Sequence, residues 1–410
     1  MDTLRADHVS AYGYERTTTP HLDAWMGEQG VRFAQAISTS PWTCPSVAAM
    51  FTGRSPTSLG ATFATIRNSV PQEANTLAEL LQRAGYATAG FPSIYCTLGK
   101  LGFSQGFDFY PDALAASSTP SDKARAAEIN ALAMDWLSQT YLQQEPRQPL
   151  FLFLHYFDPH TWYMPPPPYD LLFDPDYQGA FTSEVFGNAE KVVTGELTPS
   201  ARDIEHLEAL YDGEVMYADA YFGQMMEFLQ AHGLLDNALV IVTADHGEFF
   251  GEHNRWVHTS SLYQEVLHVP LFLRYTGAAA AGSISIEPVQ NFDIFPTVLD
   301  WVGIAPPDPI QAVSLKPQMM GQAGDQARPI FSELGANTDP KHALYWIAPH
   351  VNWQAVQLDG WKLIHIVEDP TQDALYLLNP LSPFETENQI SSEPELYQDM
   401  LKLLQNYFVP

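Results

Sequence analysis

Cysteine is almost absent: Cys44 and Cys96 are the only two in 410 residues. That excludes a small disulfide-stapled fold, and there is neither a Cys-x-x-Cys pair nor a Cys/His zinc spacing. The two could close one bridge, but a chain of this size has no need of it, and none is expected. Positive charge is also scarce. Lys and Arg number 19 against 48 Asp and Glu, a formal charge of −29. Binding nucleic acid or anionic lipid needs clustered Lys and Arg, so both are disfavoured as partners. The acidic residues are spread thinly, as on a solvated surface that keeps a protein soluble. Long apolar runs are missing too. None approaches the roughly 18 residues of a membrane span. The longest, Pro149 to Leu154 and Ala238 to Thr243, are strand-sized. Walker, GxGxxG and GxSxG motifs are absent, which argues against nucleotide cradles and the α/β-hydrolase elbow.

What is present is a folded chain: 46% hydrophobic residues and 16% charged exclude disorder. Helix and strand signals alternate. Thr19-Pro20 opens a helix that Gly30 closes. Asn75 caps a second, with Leu77, Leu80 and Leu81 on one face, and a strand follows over Tyr86 to Phe91. Ala126 to Leu142 reads as helical and Pro149 to His155 as a buried strand. Thr198-Pro199 opens a long helix ending near Gly233, ahead of strands over Ala238 to Ala244 and Val269 to Arg274. Gln290 to Val302 is again helical. This alternation predicts a mainly parallel sheet with helices on both faces. From about residue 328 the pattern becomes short strands (Pro329 to Ser332, Trp353 to Leu358, Trp361 to Ile366, Ala374 to Leu378) and a last helix from Glu393 to Tyr407. The expected organisation is therefore an α/β domain over 1–327 and a C-terminal subdomain over 328–410, with a small antiparallel sheet. Residues 170–198 read as an irregular insertion.

Several segments can carry chemistry. Asp245-His246-Gly247-Glu248 follows the apolar strand ending at Thr243, and ligands gather at the carboxyl ends of strands in open α/β sheets. Carboxylate beside imidazole suits a divalent metal; a capped turn is the plainer alternative. In Thr43-Cys44-Pro45-Ser46, Pro45 fits the first turn of a short helix ended by Gly53, which places Thr43 just before the helix N-terminus. Unpaired N–H groups there favour an anion and ease formation of an alkoxide. A hydroxyl beside a metal is an activated nucleophile; a simple helix cap is the commoner role. Asp2 could add a metal oxygen. His160, after the strand through Leu154, could hold an anion or protonate a leaving group, whereas His155 reads as a strand residue. His253 and His258 follow Asp245 closely, and either could face the site.

Taken together and in order, these segments resemble the sulfatase family of the alkaline-phosphatase superfamily. The matching pieces are Asp2 to Asp7, Thr19 to Asp23, the segment ending Thr52-Gly53-Arg54, Asp158-Pro159-His160, Asp245 to Glu248, Ser261 to Glu265, Val269-Pro270-Leu271, Asp293 to Thr297 and Gly360 to Ile364. The resemblance implies an alkaline-phosphatase-like three-layer α/β sandwich with a mainly parallel central sheet and a small C-terminal antiparallel subdomain. It implies one divalent metal ion (Ca, Mg, Mn or Zn) on Asp2, Thr43, Asp245 and His246. Thr43 would be the nucleophile that forms a covalent ester, and His160 and His258 would assist. The substrate would be an anionic ester: a small molecule, a glycan or a lipid headgroup.

The departures shape the expectation. Family members that use formylglycine make it from Cys in Cys-x-Pro-x-Arg. Here the frame reads Thr43-Cys44-Pro45-Ser46-Val47, with Cys44 one place late and Val47 for Arg, so no formylglycine is expected. Thr3 stands where a second Asp is usual, and the family's Gly-Lys-x-His loop is missing. The hydrophobic strand that normally precedes the first Asp is not seen before Met1, so a truncated start and loosened Asp2 are expected. The resulting reading is a metal-dependent hydrolase of sulfate, phosphate or phosphonate esters. The alternatives are a phosphoryl transferase acting on an alcohol, or a truncated inactive scaffold.

Overall fold

A computed structural model describes residues 1–61, 69–112, 124–179, 181, 189–275, 282–307, 310–325, 327–339, 347–378 and 385–408. Part of the 170–198 insertion therefore lies outside the described residues. Strand Leu150–Leu154 is apolar and half-buried at every position, and it pairs in parallel with Ala87–Phe91. Phe153 points to one face, where its ring lies 4.9 Å from Phe51. On that side Phe151 joins Leu77, Leu81, Phe295 and Leu299. Phe91 points to the other face, with its ring 6.4 Å from Trp136 of the helix Ala126–Trp136. Helices thus cover both faces, giving three layers.

A second run of strands has the order Ser283–Ser285, Val31–Phe33, Leu271–Tyr275, Leu239–Thr243. The first pair is parallel, and Leu271–Tyr275 is antiparallel to both of its neighbours, so this sheet is mixed. Met1 and Asp2 connect the ends of two strands. The Met1 amine donates to Thr243 O at 3.1 Å and Asp2 N to Tyr156 O at 2.9 Å.

The helix caps differ by a residue or two from expectation. Thr76, not Asn75, caps Leu77–Arg83, in a capping box with Glu79. Ser200, not Thr198, caps the helix Ala201–Ala231, with Asp203 completing the box. In both cases the winning residue is the one three positions before an acid that can reach back to its N–H.

The C-terminal strands Ile330–Leu334, Trp353–Leu358, Trp361–Ile366 and Ala374–Leu377 form an all-antiparallel sheet in that order. Asp359 and Gly360 join the middle pair with φ of 51° and 79°, the two left-handed residues that a tight hairpin turn requires. Helix Pro394–Tyr407 closes one face through Met400 and Leu404, which pack on Val356, Leu363 and Leu375. Ser332 Oγ donates to Ser38 O, and Glu333 N to Thr39 O, which docks this sheet a few residues from Thr43. No helix of the described residues is long and apolar enough to cross a membrane.

Candidate active site

Helix Thr43–Thr52 is buried at all ten positions. Its cap is Trp42, in extended conformation, so Thr43 is the first helical residue rather than the one before it. Pro45 lies in the first turn, where no N–H is lost. Gly53 ends the helix at φ 64°, and a Cβ there would meet Phe295 at 2.7 Å. The Thr43 hydroxyl therefore lies at a helix N-terminus, where the dipole favours negative charge.

Asp245 and His246 follow the strand ending at Thr243. The loop is fastened through Asp245 O, which accepts from Ser46 Oγ at 2.7 Å and Asn291 Nδ2 at 3.2 Å. Asp245 Oδ1 accepts from His246 N and Thr3 N, at 3.0 and 3.3 Å. Thr3 makes that reach from a left-handed conformation, φ 55°. Asp245 Oδ2 is buried with no hydrogen-bond partner.

His246 Nδ1 lies 2.9 Å from Gly247 O, which can only accept. Assigned on that contact, the proton sits on Nδ1 and the neutral ring keeps its lone pair on Nε2. Burial lowers the pKa of this imidazole and favours the neutral form. The Nε2 lone pair is 3.3 Å from Thr43 Oγ1, 3.5 Å from Asp245 Oδ2 and 3.6 Å from Asp2 Oδ1. Burial alone would raise the Asp245 carboxyl, but its surroundings, the His246 N–H among them, hold it below the usual range. The Asp2 and Asp245 carboxyls thus converge on a lone pair in a buried space, an arrangement that suits a cation.

His155 joins the same cluster, where the sequence placed it only in a strand. Asp2, His155 and Asp245 each offer a ligand atom within 4.8 Å of the others. His155 Nδ1 is 2.6 Å from Ser93 Oγ, while Nε2 is buried without a hydrogen-bond partner. Burial pushes its pKa down to about 4, leaving a neutral imidazole that can coordinate. The signal was its position directly after the all-apolar strand, the same placement that marked Asp245. Buried oxygens plus imidazoles gathered in this way fit a divalent metal.

His258 and His160 complete the site. The His258 ring is 4.5 Å from His246 and 4.9 Å from His160. His258 Nδ1 donates to Glu248 Oε1 at 2.7 Å, and Thr161 Oγ1 donates to Glu248 Oε2 at 2.5 Å. Glu248 is fully buried; burial would raise its pKa, but His258 and these hydrogen bonds lower it, so it is an anion. All six residues singled out from the sequence thus meet in one place: Asp2, Thr43, His160, Asp245, His246 and His258. Glu248, though quoted in the motif, carried no assigned role.

Cys44 is bonded to Cys96, against expectation. The helix points the residue after Thr43 away from the carboxylates and into the cluster formed by Ile37, Trp42 and Cys96. The tie anchors the helix Thr43–Thr52 to the turn at Tyr95–Thr97.

Residues 1–304 match the family described as Sulfatase, and residues 251–408 match N-sulphoglucosamine sulphohydrolase, C-terminal. An N-acetylglucosamine-6-O-sulfatase of Bacteroides thetaiotaomicron is 25% identical over 75% of this chain and 68% of its own length. An arylsulfatase of Clostridium perfringens is 25% identical over 77% of this chain and 76% of its own. Among solved structures, one bound to its substrate D-glucosamine-2-N,6-O-disulfate superposes with a TM-score of 0.80, at 21% identity, over 99% of this chain and 95% of that one. A phosphonate monoester hydrolase from Silicibacter pomeroyi gives 0.74 at 22% identity, over 99% and 92%.

Proposed function

We propose, from the premise that the chain belongs to the sulfatase family and is a hydrolase of ester bonds, that it opens anionic esters through a covalent ester on Thr43. The observation that carries this reading is the convergence of Thr43 Oγ1, the His246 lone pair and the Asp2 and Asp245 carboxylates at a helix N-terminus.

Asp2, Asp245 and His246, with Thr43 beside them and His155 completing the set, would hold one divalent ion. When bound, that ion supplies positive charge that stabilises an alkoxide and polarises an ester oxygen. The remaining work falls to the chain. The first-turn N–H groups hold the anionic head of the substrate in line with Thr43. Thr43 gives its proton to solvent as the bond from Oγ1 to sulfur or phosphorus forms and the bond to the ester oxygen breaks. The departing alcohol takes a proton from the imidazolium form of His258, held by Glu248, or of His160. Water then attacks sulfur or phosphorus, returning one proton to Thr43, which leaves with its hydroxyl restored, and one to that histidine. The substrate class is an anionic sugar ester, a reading supported by the sulfated glucosamine bound to one structural neighbour. The phosphonate ester hydrolase among the neighbours keeps phosphonate esters in the same class.

The test is a side-by-side turnover assay of aryl sulfate, aryl phosphodiester and phosphonate monoester. Thr43→Ala is expected to lose at least about 10³-fold in kcat on the best of them. Turnover unchanged by the substitution would remove Thr43 as nucleophile.

A further inference from the structure

A second cluster of ligands lies outside this site and has no part in the reaction. His253, Glu265 and Glu385 each offer an atom within 4.8 Å of the others. They come from three separate parts of the chain: the 251–259 segment, the short helix Gln264–Leu267, and the stretch after the last C-terminal strand. The backbone of His253 is left-handed, φ 53°, and its ring is stacked on Tyr263 with centroids 3.8 Å apart and planes at 6°. Its Nε2 faces Glu265 Oε1 at 3.1 Å. The other oxygen of that carboxylate, Oε2, is buried with no hydrogen-bond partner, in a residue only 3% exposed.

Charge points the same way. Glu385 Oε1 accepts from Lys362 Nζ at 2.5 Å, and Glu385 Oε2 from Gln264 N at 3.2 Å. Lys362 also reaches Gln264 Oε1 at 3.2 Å. One buried ammonium therefore answers one of two buried carboxylates, and Glu265 Oε1 faces the His253 imidazole. A buried carboxylate oxygen without a donor is an expensive arrangement that a coordinating cation removes.

We infer that His253, Glu265 and Glu385 bind a divalent first-row transition ion such as Zn²⁺, distinct from the ion proposed at Asp2 and Asp245. One imidazole with two carboxylates is the ligand chemistry of such ions rather than of Mg²⁺ or Ca²⁺, which favour all-oxygen shells. On binding, His253 Nε2 gives up any proton and presents its lone pair. The role is structural. The ion fastens the ribbon of Phe249–Phe250 and Trp256–Val257, which carries His258 just beyond it, to the C-terminal part of the chain through Glu385.

The test is Zn²⁺ titration of the full chain by calorimetry, with bound metal counted after desalting. Four proteins are compared: wild type, Glu265→Gln, His253→Ala and Asp245→Asn. Wild type should hold one equivalent more than either Glu265→Gln or His253→Ala, and the thermal midpoint of Asp245→Asn should still rise with Zn²⁺. The midpoint of Glu265→Gln should lose the part of the rise that Asp245→Asn retains. Equal metal counts in wild type, Glu265→Gln and His253→Ala would overturn the inference, as would an Asp245→Asn protein that holds no metal. The second result would leave the reading of the active site standing, because turnover by Thr43 does not depend on this cluster.

Discussion

Thr43 and Cys44 sit side by side and face opposite ways. One meets His246 and the carboxylates, and the other is spent on Cys96. A helix turns by about 100° per residue, so a frame shift of a single position exchanges a reactive side chain for a structural one. That is why the one-residue displacement of cysteine in the motif carries so much weight. Glu248 shows the complementary case, a residue whose role lies in the partner it holds. Its carboxylate fixes His258 Nδ1 as the donor and holds the ring beside His246. As a positioning residue acting through His258, it should show itself through leaving groups. Glu248→Gln is expected to lower kcat on the order of 10²-fold for alkyl esters and far less for nitrophenyl esters, whose alcohols depart without a proton. An equal loss on both would mean that Glu248 only supports the fold. His155 was missed because a histidine after an apolar strand reads equally well as strand or site. Only the burial of its Nε2 without a hydrogen bond separates the two.

At the scale of elements, strand ends and helix starts were legible because their signals are local. Alternation and apolar runs placed the strands, and Pro45 with Gly53 bounded the nucleophile helix. The bridge between Cys44 and Cys96 was not legible, since it depends on two segments meeting that are 52 residues apart. Nor was the purpose of Asp293, which has the look of a chemical motif. It accepts from Arg328 through both guanidinium arms, at 2.7 and 2.8 Å, and from Gln290 N and Val313 N, so it joins the two parts of the fold. Glu333 makes a similar join. Buried on the strand Ile330–Leu334, it accepts from Thr57 N at 2.9 Å and also from the Thr57 hydroxyl. Burial pushes its pKa up to about 7 against those hydrogen bonds. The folded state thus keeps a proton that the unfolded chain has lost above about pH 4.5, so this group's contribution declines between roughly pH 4.5 and 7 by about 1.4 kcal/mol per unit. Urea unfolding of Glu333→Gln should show a correspondingly shallower decline over that window. An identical slope in wild type and variant would contradict the assignment.

Across the whole molecule, the order of motifs along the chain foretold the three-layer fold and the closing antiparallel sheet better than any one of them foretold chemistry. Solved structures at 21% and 22% identity share that architecture. The charge of −29 gains a sharper meaning from the site. On the proposed reading, an anionic ester would reach Thr43 past Asp2, Asp245 and Glu248. Its attraction would then rest on the helix N-terminus and a bound cation, which would make the metal part of substrate binding as well as of reactivity. The central claim is that the ester forms on Thr43, and the most direct measurement is rapid acid quench of enzyme turning over its best aryl ester, followed by peptide mass mapping. The account expects a sulfuryl or phosphoryl adduct on Thr43, absent from Thr43→Ala, with Cys44 and Cys96 recovered as a disulfide. An adduct on another residue, or a formylglycine at Cys44, would contradict it.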